Sequence, residues 1–550
     1  MEEQKILSEQ PTKKKISFFA AMLIVMGGSI GAGIFFKSSS VLGNSHSSLV
    51  LAIFCWLIAS CAVIAMALAL IEVASVRNDN LSLIGWTKVF TSRRIFKASK
   101  NFMVYVYLPL TYFFMPLYVI MSLQDGLGAL INGGTLTLGT NVDWLIWLVI
   151  SLVMSVYFLV VPALWSKIGD VQNKIVLAIK FIPLVGVTLI GFILAFAGKG
   201  GTSDVHALVQ DQGNIQNAIK MGKGIASFSG IGAGLGVFLA ISAIFFAYDG
   251  FYVASGIQSE MKEPKKTPLA LFLGLGITTI IYVVIAISMS INGGSFFGMW
   301  DYMKSWWGEK AGNIVFGILN LCIAIGVLGI INGFSMWAPR YVEDLLKEGE
   351  LPFWEKLKGK LNDNKPVVGV IYSLVLTIPI VILFTVIGAV AYLPTNPDYV
   401  FYSEDARLSM GRLYAFADLM ANWTALFTFA FIGASIHGAL LNRKTNKIHI
   451  EDKKSYFKPA AILAVIIIYI SLFVMVIVPF IDAFLLIGFD KTVAGSTQFE
   501  DLVVGRVMLI VTLFIFLGLS FLPTEIEDAI HKNKYGSIEK YEEYVKNHLL

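Results

Sequence analysis

Twelve stretches of about 20 apolar residues, divided by turn-rich or charged connectors, run from residue 17 to residue 522, and about 20 residues is what a helix needs to cross roughly 30 Å of hydrocarbon. They fall at 17–36, 49–73, 102–123, 143–163, 174–197, 235–257, 269–291, 312–334, 366–388, 413–440, 458–480 and 503–522. Connectors such as "NGGSFFG" and "EMKEPKKTP" carry the residues that stop helices. The evenly spaced alternating strands of a membrane barrel are missing, so backbone polar groups in lipid must pair within helices. A soluble chain carries about a quarter charged residues; this one has 14%, against 56% hydrophobic, with mean hydropathy +0.74. The expectation is a single all-α membrane protein with 12 transmembrane helices.

Lys and Arg set its orientation. With both termini, the even-numbered connectors from the second to the tenth, and most of the 42 Lys and Arg on one side, that side reads as cytoplasmic. "TKKK" (12–15), "SRRIFKASK" (92–100) and "LNRKTNK" (441–447) supply much of this bias. Basic runs at membrane edges are topology signals, so neither nucleic acid nor an anionic partner is inferred from the net charge of +5. Lys180 is counted as the one basic residue inside a span, Lys174, Lys458 and Arg506 falling within the first four residues of theirs.

Enzyme chemistry finds no foothold. No phosphate-binding GxxxxGK[ST] and no HExxH occurs, and no connector is long enough for a catalytic domain. The six His are scattered, and Cys55, Cys61 and Cys322 all fall in spans without metal-ligand spacing. We expect no catalytic residue, no metal and no cofactor. The C-terminal "TEIEDAIHKNKYGSIEKYEEYVKNHLL" is amphipathic enough for a short helix and reads as a solvated tail.

Two spans are weakened from within. The first holds Gly27, Gly28, Gly31 and Gly33 beside Ser29 and Ala32, and each glycine costs a helix about 1 kcal/mol relative to alanine. Gly27 and Gly31 also form a GxxxG pair of the kind that lets membrane helices touch. The sixth carries Asp249 and Gly250 in mid-span, where a carboxylate needs a polar cavity. Paired interruptions in corresponding positions of two halves mark the binding site of an inverted-repeat transporter, with half-helix ends offering N–H and C=O groups at the midplane. A zwitterion suits such a site.

Four stretches carry a family resemblance: "GSIGAGIFF" (28–36), "IGDVQNKIVLAIKFIPL" (168–184), "FFAYDGFYVASGIQSEMKEPKK" (245–266) and "GVLGIINGFSMWAPRYVEDLLKEGELP" (326–352). By their order and spacing the chain resembles the amino acid, polyamine and organocation permeases. The resemblance implies a five-plus-five inverted repeat (LeuT-type fold) plus two peripheral helices. On that reading 1–16 is a cytoplasmic tail, 17–450 the transporter core with repeats at about 17–197 and 235–440, 451–522 the peripheral spans, and 523–550 a second tail.

Function is expected to follow the family: secondary transport of amino acids across the cell membrane by alternating access, through proton symport or exchange. A polyamine or organic-cation permease is the alternative; a non-transporting sensor or subunit on the same fold is the alternative of another class. Carried over by motif, Ser29, Ile30, Gly31, Ala32 and Gly33 would line the site. Phe246 would gate it, Ala247, Tyr248 and Asp249 would form its unwound backbone, and Tyr252 and Phe334 would contact substrate. Asp249 is not by itself taken as a sign of cationic substrates. Lys180, in a segment resembling one where a lysine replaces bound sodium, would couple proton movement; a snorkelling side chain is the alternative. Expected partners are an amino acid, protons and the lipid bilayer.

Overall fold

The computed structural model describes residues 17–31, 33–45, 48–77, 79–140, 142–200, 233–252, 262–362, 365–392, 408–451, 453–488 and 496–549. All regular structure among them is helical. Among the described residues ten helices are long and apolar enough to cross a membrane, and they cover every expected span except the first and the sixth. Those two are the spans expected to break.

The first span is two helices, α1 (Phe18–Ser29) and α2 (Gly33–Asn44), followed by α3 (Leu49–Val76). Two short helices, α4 (Leu83–Phe90) and α5 (Arg93–Asn101), lead through a π-helical turn at Phe102–Tyr107 into α6 (Leu108–Ile131). The third helical unit therefore starts nine residues before the expected 102, because Ser92 caps it by accepting from the Ile95 N–H at 3.4 Å and its charged residues find acidic partners. Next come α7 (Asp143–Leu164), α8 (Ser166–Phe196) and α9 (Ala233–Ala247), the described helix of span six. After α10 (Thr267–Ser290) and the short α11 (Phe296–Trp307), α12 (Glu309–Lys347) runs well past the expected 334. The remainder is α13 (Trp354–Leu357), α14 (Val367–Val386) with a π turn at Ile387–Ala391, α15 (Leu408–Thr445), α16 (Phe457–Leu485), α17 (Ser496–Tyr535) and α18 (Ile538–Leu549).

Packing repeats with a period of five spans. The α1–α10 contact is matched by α9 on α3, α8–α12 by α15 on α6, α7–α12 by α14 on α6, and α8–α10 by α15 on α3. The pairs α2–α9, α3–α10, α6–α12 and α7–α14 map onto themselves. An odd number of spans per copy turns the second copy upside down, so this pattern is what an inverted repeat produces. Departures include the contacts of α15 with α9 and with α7, which have no counterpart of similar extent; span one is bonded to α8 by Lys180.

One end of the bundle is tied by ion pairs. Arg77 meets Glu348 at 2.6 Å, Lys88 and Lys97 meet Glu350 at 3.0 and 2.5 Å, and Arg93 meets Asp528 at 2.7 Å and Glu542 at 3.0 Å. The C-terminal helix α18 forms as expected but does not stand free in solvent. Tyr541 accepts from Trp354 Nε1 at 3.2 Å, and its ring stacks on His531 with centroids 3.5 Å apart. The aromatic residues of the amphipathic segment supply the docking face.

Candidate functional site

At the break in span one the helical ladder runs out. Ile30 N–H still reaches the Met26 carbonyl at 2.7 Å, but Gly31 N–H turns to the hydroxyl of Tyr282 at 3.2 Å. Carbonyls stranded in a low-dielectric interior are costly, and here side chains take them up. Lys180 Nζ donates to Gly27 O at 2.8 Å and Ile30 O at 3.0 Å. The Tyr282 hydroxyl proton is shared between Ser29 O at 2.7 Å and Ala247 O at 2.9 Å. One buried polar atom is left over: Ser29 Oγ has no hydrogen-bond partner. On the other side of the break, the first turn of α2 presents N–H groups that no preceding turn can accept.

Span six stops being helical at the facing position. After Ala247 the chain turns through Tyr248–Gly250, with Gly250 at φ +98°, a backbone region that glycine enters without strain. The two segments touch backbone to backbone. A Cβ placed on Gly33 would lie 3.0 Å from Ala247 Cα, so any side chain there requires that backbone to give by a few tenths of an ångström. Tyr282, on α10, thus bonds both interrupted segments with one hydroxyl.

The expected site residues separate into two groups. Ser29, Ile30, Gly31, Gly33 and Ala247 meet at the contact between the segments, through main-chain atoms. Ala32 and residues 253–257 of span six lie outside the described residues. The Tyr248 side chain points away, bonded to Ser60 Oγ at 2.8 Å and Thr279 Oγ1 at 2.9 Å, so it anchors the turn to α3 and α10. Asp249 accepts from Tyr107 OH at 2.8 Å and from the Gly250 N–H at 3.0 Å. Tyr252 brings its hydroxyl to 3.3 Å from that of Tyr107. Phe334 packs on Tyr107, Tyr112 and Trp337, with ring centroids 5.4, 5.7 and 5.9 Å apart. Phe246 lies against Phe114 and Tyr118, both at 5.7 Å. A narrow cavity beside the break is lined by Ile30, Gly31, Phe35, Lys180 and Gly326.

Three features escaped the sequence reading. Tyr107 closes the π turn of span three, a distortion that tends to mark functional sites, and nothing in its neighbours announced it. Tyr282 was one tyrosine in an unbroken apolar run. The third corrects an expectation: Lys180, half-buried, is not the only basic residue within a span, since Arg506 is buried in span twelve and Lys37 in the helix that continues span one. Lys37, placed one residue beyond span one, is wholly buried because α2 continues to Asn44. Its Nζ is ion-paired with the Asp418 carboxylate on α15, donates to Tyr118 OH at 2.8 Å, and lies 4.4 Å from the Phe246 ring centroid. Tyr118 also donates to Asp418, at 2.9 Å, and Asn422 does so at 3.2 Å. A carboxylate in span ten was the available signal.

Among the described residues no group of three or more His, Cys, Asp or Glu is placed to hold a metal ion. The chemistry on offer is that of recognition: main-chain donors and acceptors at two breaks, an orphan hydroxyl, one carboxylate and a set of aromatic rings.

Known proteins were compared with this chain. An uncharacterized protein of Mycoplasma pneumoniae is 58% identical over 554 residues, 98% of each chain. The serine/threonine exchanger SteT of Bacillus subtilis is 24% identical over 360 residues, 63% of this chain and 71% of that protein. Among solved structures, MhsT in complex with L-phenylalanine superposes with a TM-score of 0.47 and 16% identity, over 82% of this chain and 97% of that one. A family profile described as amino acid permease matches residues 16–521. Its members are transporters rather than enzymes, and the ten apolar helices make this a multi-pass membrane protein. Matched along nearly its whole length, the chain belongs to the amino acid permease family.

Proposed function

We propose that this transporter moves amino acids across the cell membrane by alternating access, in proton symport or amino acid exchange, with both termini in the cytoplasm. The core is 17–450, built from repeats at about 17–197 and 235–440, with 451–522 peripheral. Substrate binds where the two interrupted segments meet, its carboxylate toward the start of α2 and the main chain of 29–33, its amino group toward the carbonyls at the end of α9. The observation that carries this reading is the contact itself: Gly33 against Ala247, with Ser29 Oγ buried and unpartnered beside it. That a relative is a serine/threonine exchanger agrees with an amino acid as cargo.

Opposite halves of span one are held by different partners, which suits a cycle that frees one half at a time. Lys180 grips the α1 end, and the Lys37–Asp418–Tyr118 cluster grips α2. Outward opening requires the second to part, and inward opening the first. Lys180 acts as the coupling group, holding Gly27 and Ile30 while charged and releasing them when it gives up its proton.

Thermal unfolding of the purified protein across the amino acids and common amines tests the reading. A ligand at 100 times its dissociation constant adds about 2.7 kcal/mol, a clear rise in midpoint. No rise with any compound contradicts substrate binding at this site.

A further inference from the structure

Asp249 is a carboxylate inside the sixth span whose visible hydrogen bonds come from a tyrosine hydroxyl and its neighbouring main-chain N–H. Among the described residues no Lys or Arg forms an ion pair with it; Glu72, Asp418 and Asp482 are paired with Arg443, Lys37 and Arg506, while buried Glu343 and Asp143 are held by two main-chain N–H groups each, and Asp143 by a hydroxyl as well. A carboxylate has about four acceptor positions, and two are taken. Around it stand aromatic rings: Tyr107 bonds it directly, Tyr252 bonds Tyr107, and Phe334 stands edge to face with Tyr107 and tilted against Tyr112. The hydroxyl of Tyr112 is turned to Ser335 at 2.6 Å.

An ionised carboxylate at membrane depth calls for a counter-charge, and aromatic faces attract organic ammonium groups. A carboxylate joined to aromatic walls is the combination that recognises an amine. Neutral aliphatic side chains would gain from the rings alone and would leave the carboxylate uncompensated. An anionic side chain would be repelled.

We propose that the Tyr107–Asp249–Tyr252 cluster, with Phe334, receives a positively charged group of the substrate, so that the preferred cargo is an amino acid with a cationic side chain or a related organic amine. This rests on the transport reading above and narrows it. Tyr107 is a positioning residue, since its hydroxyl fixes the Asp249 carboxylate.

The test is a competition series with purified protein in proteoliposomes. Lysine, ornithine and a linear diamine are set against glutamine, norleucine and glutamate, in the wild type and in Asp249→Asn. Cationic compounds are expected to compete best, and the substitution to lower the cationic-to-neutral affinity ratio on the order of 30-fold or more, as removal of one partner of a buried charge pair does. Tyr107→Phe, which keeps the carboxylate, is expected to shift the same ratio in the same direction and serves if Asp249→Asn does not fold. Neutral compounds competing as well as cationic ones, with a ratio unmoved by either substitution, overturns the inference. Absence of any competition in either class overturns the transport reading itself.

Discussion

Lys180 donates to the carbonyl oxygen of Ile30 at 3.0 Å, and by that bond a side chain from α8 closes the open end of α1. The same ammonium holds Gly27 O at 2.8 Å. Lys180→Ala strands both carbonyls, and hydrogen bonds to charged groups contribute about 1.5–3 kcal/mol each. The variant should unfold at a clearly lower temperature and lose the pH dependence of uptake in proteoliposomes. Full pH-dependent uptake by Lys180→Ala removes the coupling role.

Tyr282 and Tyr248 offer a matched pair of substitutions. Tyr282→Phe deletes one hydroxyl that serves Gly31 N–H, Ser29 O and Ala247 O, and leaving buried groups unpaired costs about 1–3 kcal/mol. Tyr248→Phe deletes a hydroxyl bonded to Ser60 and Thr279, away from the break. Both should lower the unfolding temperature, but only Tyr282→Phe should also weaken ligand binding, as read by the ligand-dependent rise in midpoint.

Breaking the Lys37–Asp418 pair from one side leaves a lone charge in a dry environment. Lys37→Met should destabilise the protein by about 3–5 kcal/mol, and Lys37→Met/Asp418→Leu should recover most of that loss. Unfolding midpoints for the single and double variants give the coupling directly. Equal losses in the single and double variants would show that the ion pair is not what Lys37 contributes.

Burial pushes the Glu350 carboxyl up, but Lys97, Lys88 and Lys100 overcome it and hold it at about 2, below its ordinary 4.5. A carboxyl depressed on folding contributes stability that is complete above its unfolded value and is lost as pH falls toward its folded one. The unfolding midpoint should therefore drop as pH falls from about 4.5 to about 2, with a contribution on the order of 3 kcal/mol at stake. Glu350→Gln should start lower at neutral pH and fall less across that window.

Long-range features of the fold were legible because lipid leaves a chain few options. Span positions and the two interruptions followed from hydropathy and glycine placement. What stayed hidden depends on contacts between residues far apart in sequence. Tyr282 is a tyrosine in an apolar run until α10 packs against both breaks. Lys37 looked like the first residue of a connector because hydropathy drops there, whereas α2 continues for seven more residues and Asp418, some 380 positions away, compensates the charge. Tyr248 carried the motif position of a site residue, but only the turn geometry decides which way its ring points. The tail looked solvated because its aromatic face has no partner until the 349–357 segment folds beneath it.

Everything turns on the two interrupted spans forming one binding site, and Gly33 is where that can be measured. Counterflow of a labelled amino acid should proceed with purified wild-type protein in proteoliposomes. It should be abolished by Gly33→Val, whose Cβ would come 3.0 Å from Ala247 Cα and push the two segments apart, in protein that still inserts and elutes as a single species. Wild-type counterflow by Gly33→Val, or none by the wild type with any amino acid or amine, contradicts the account.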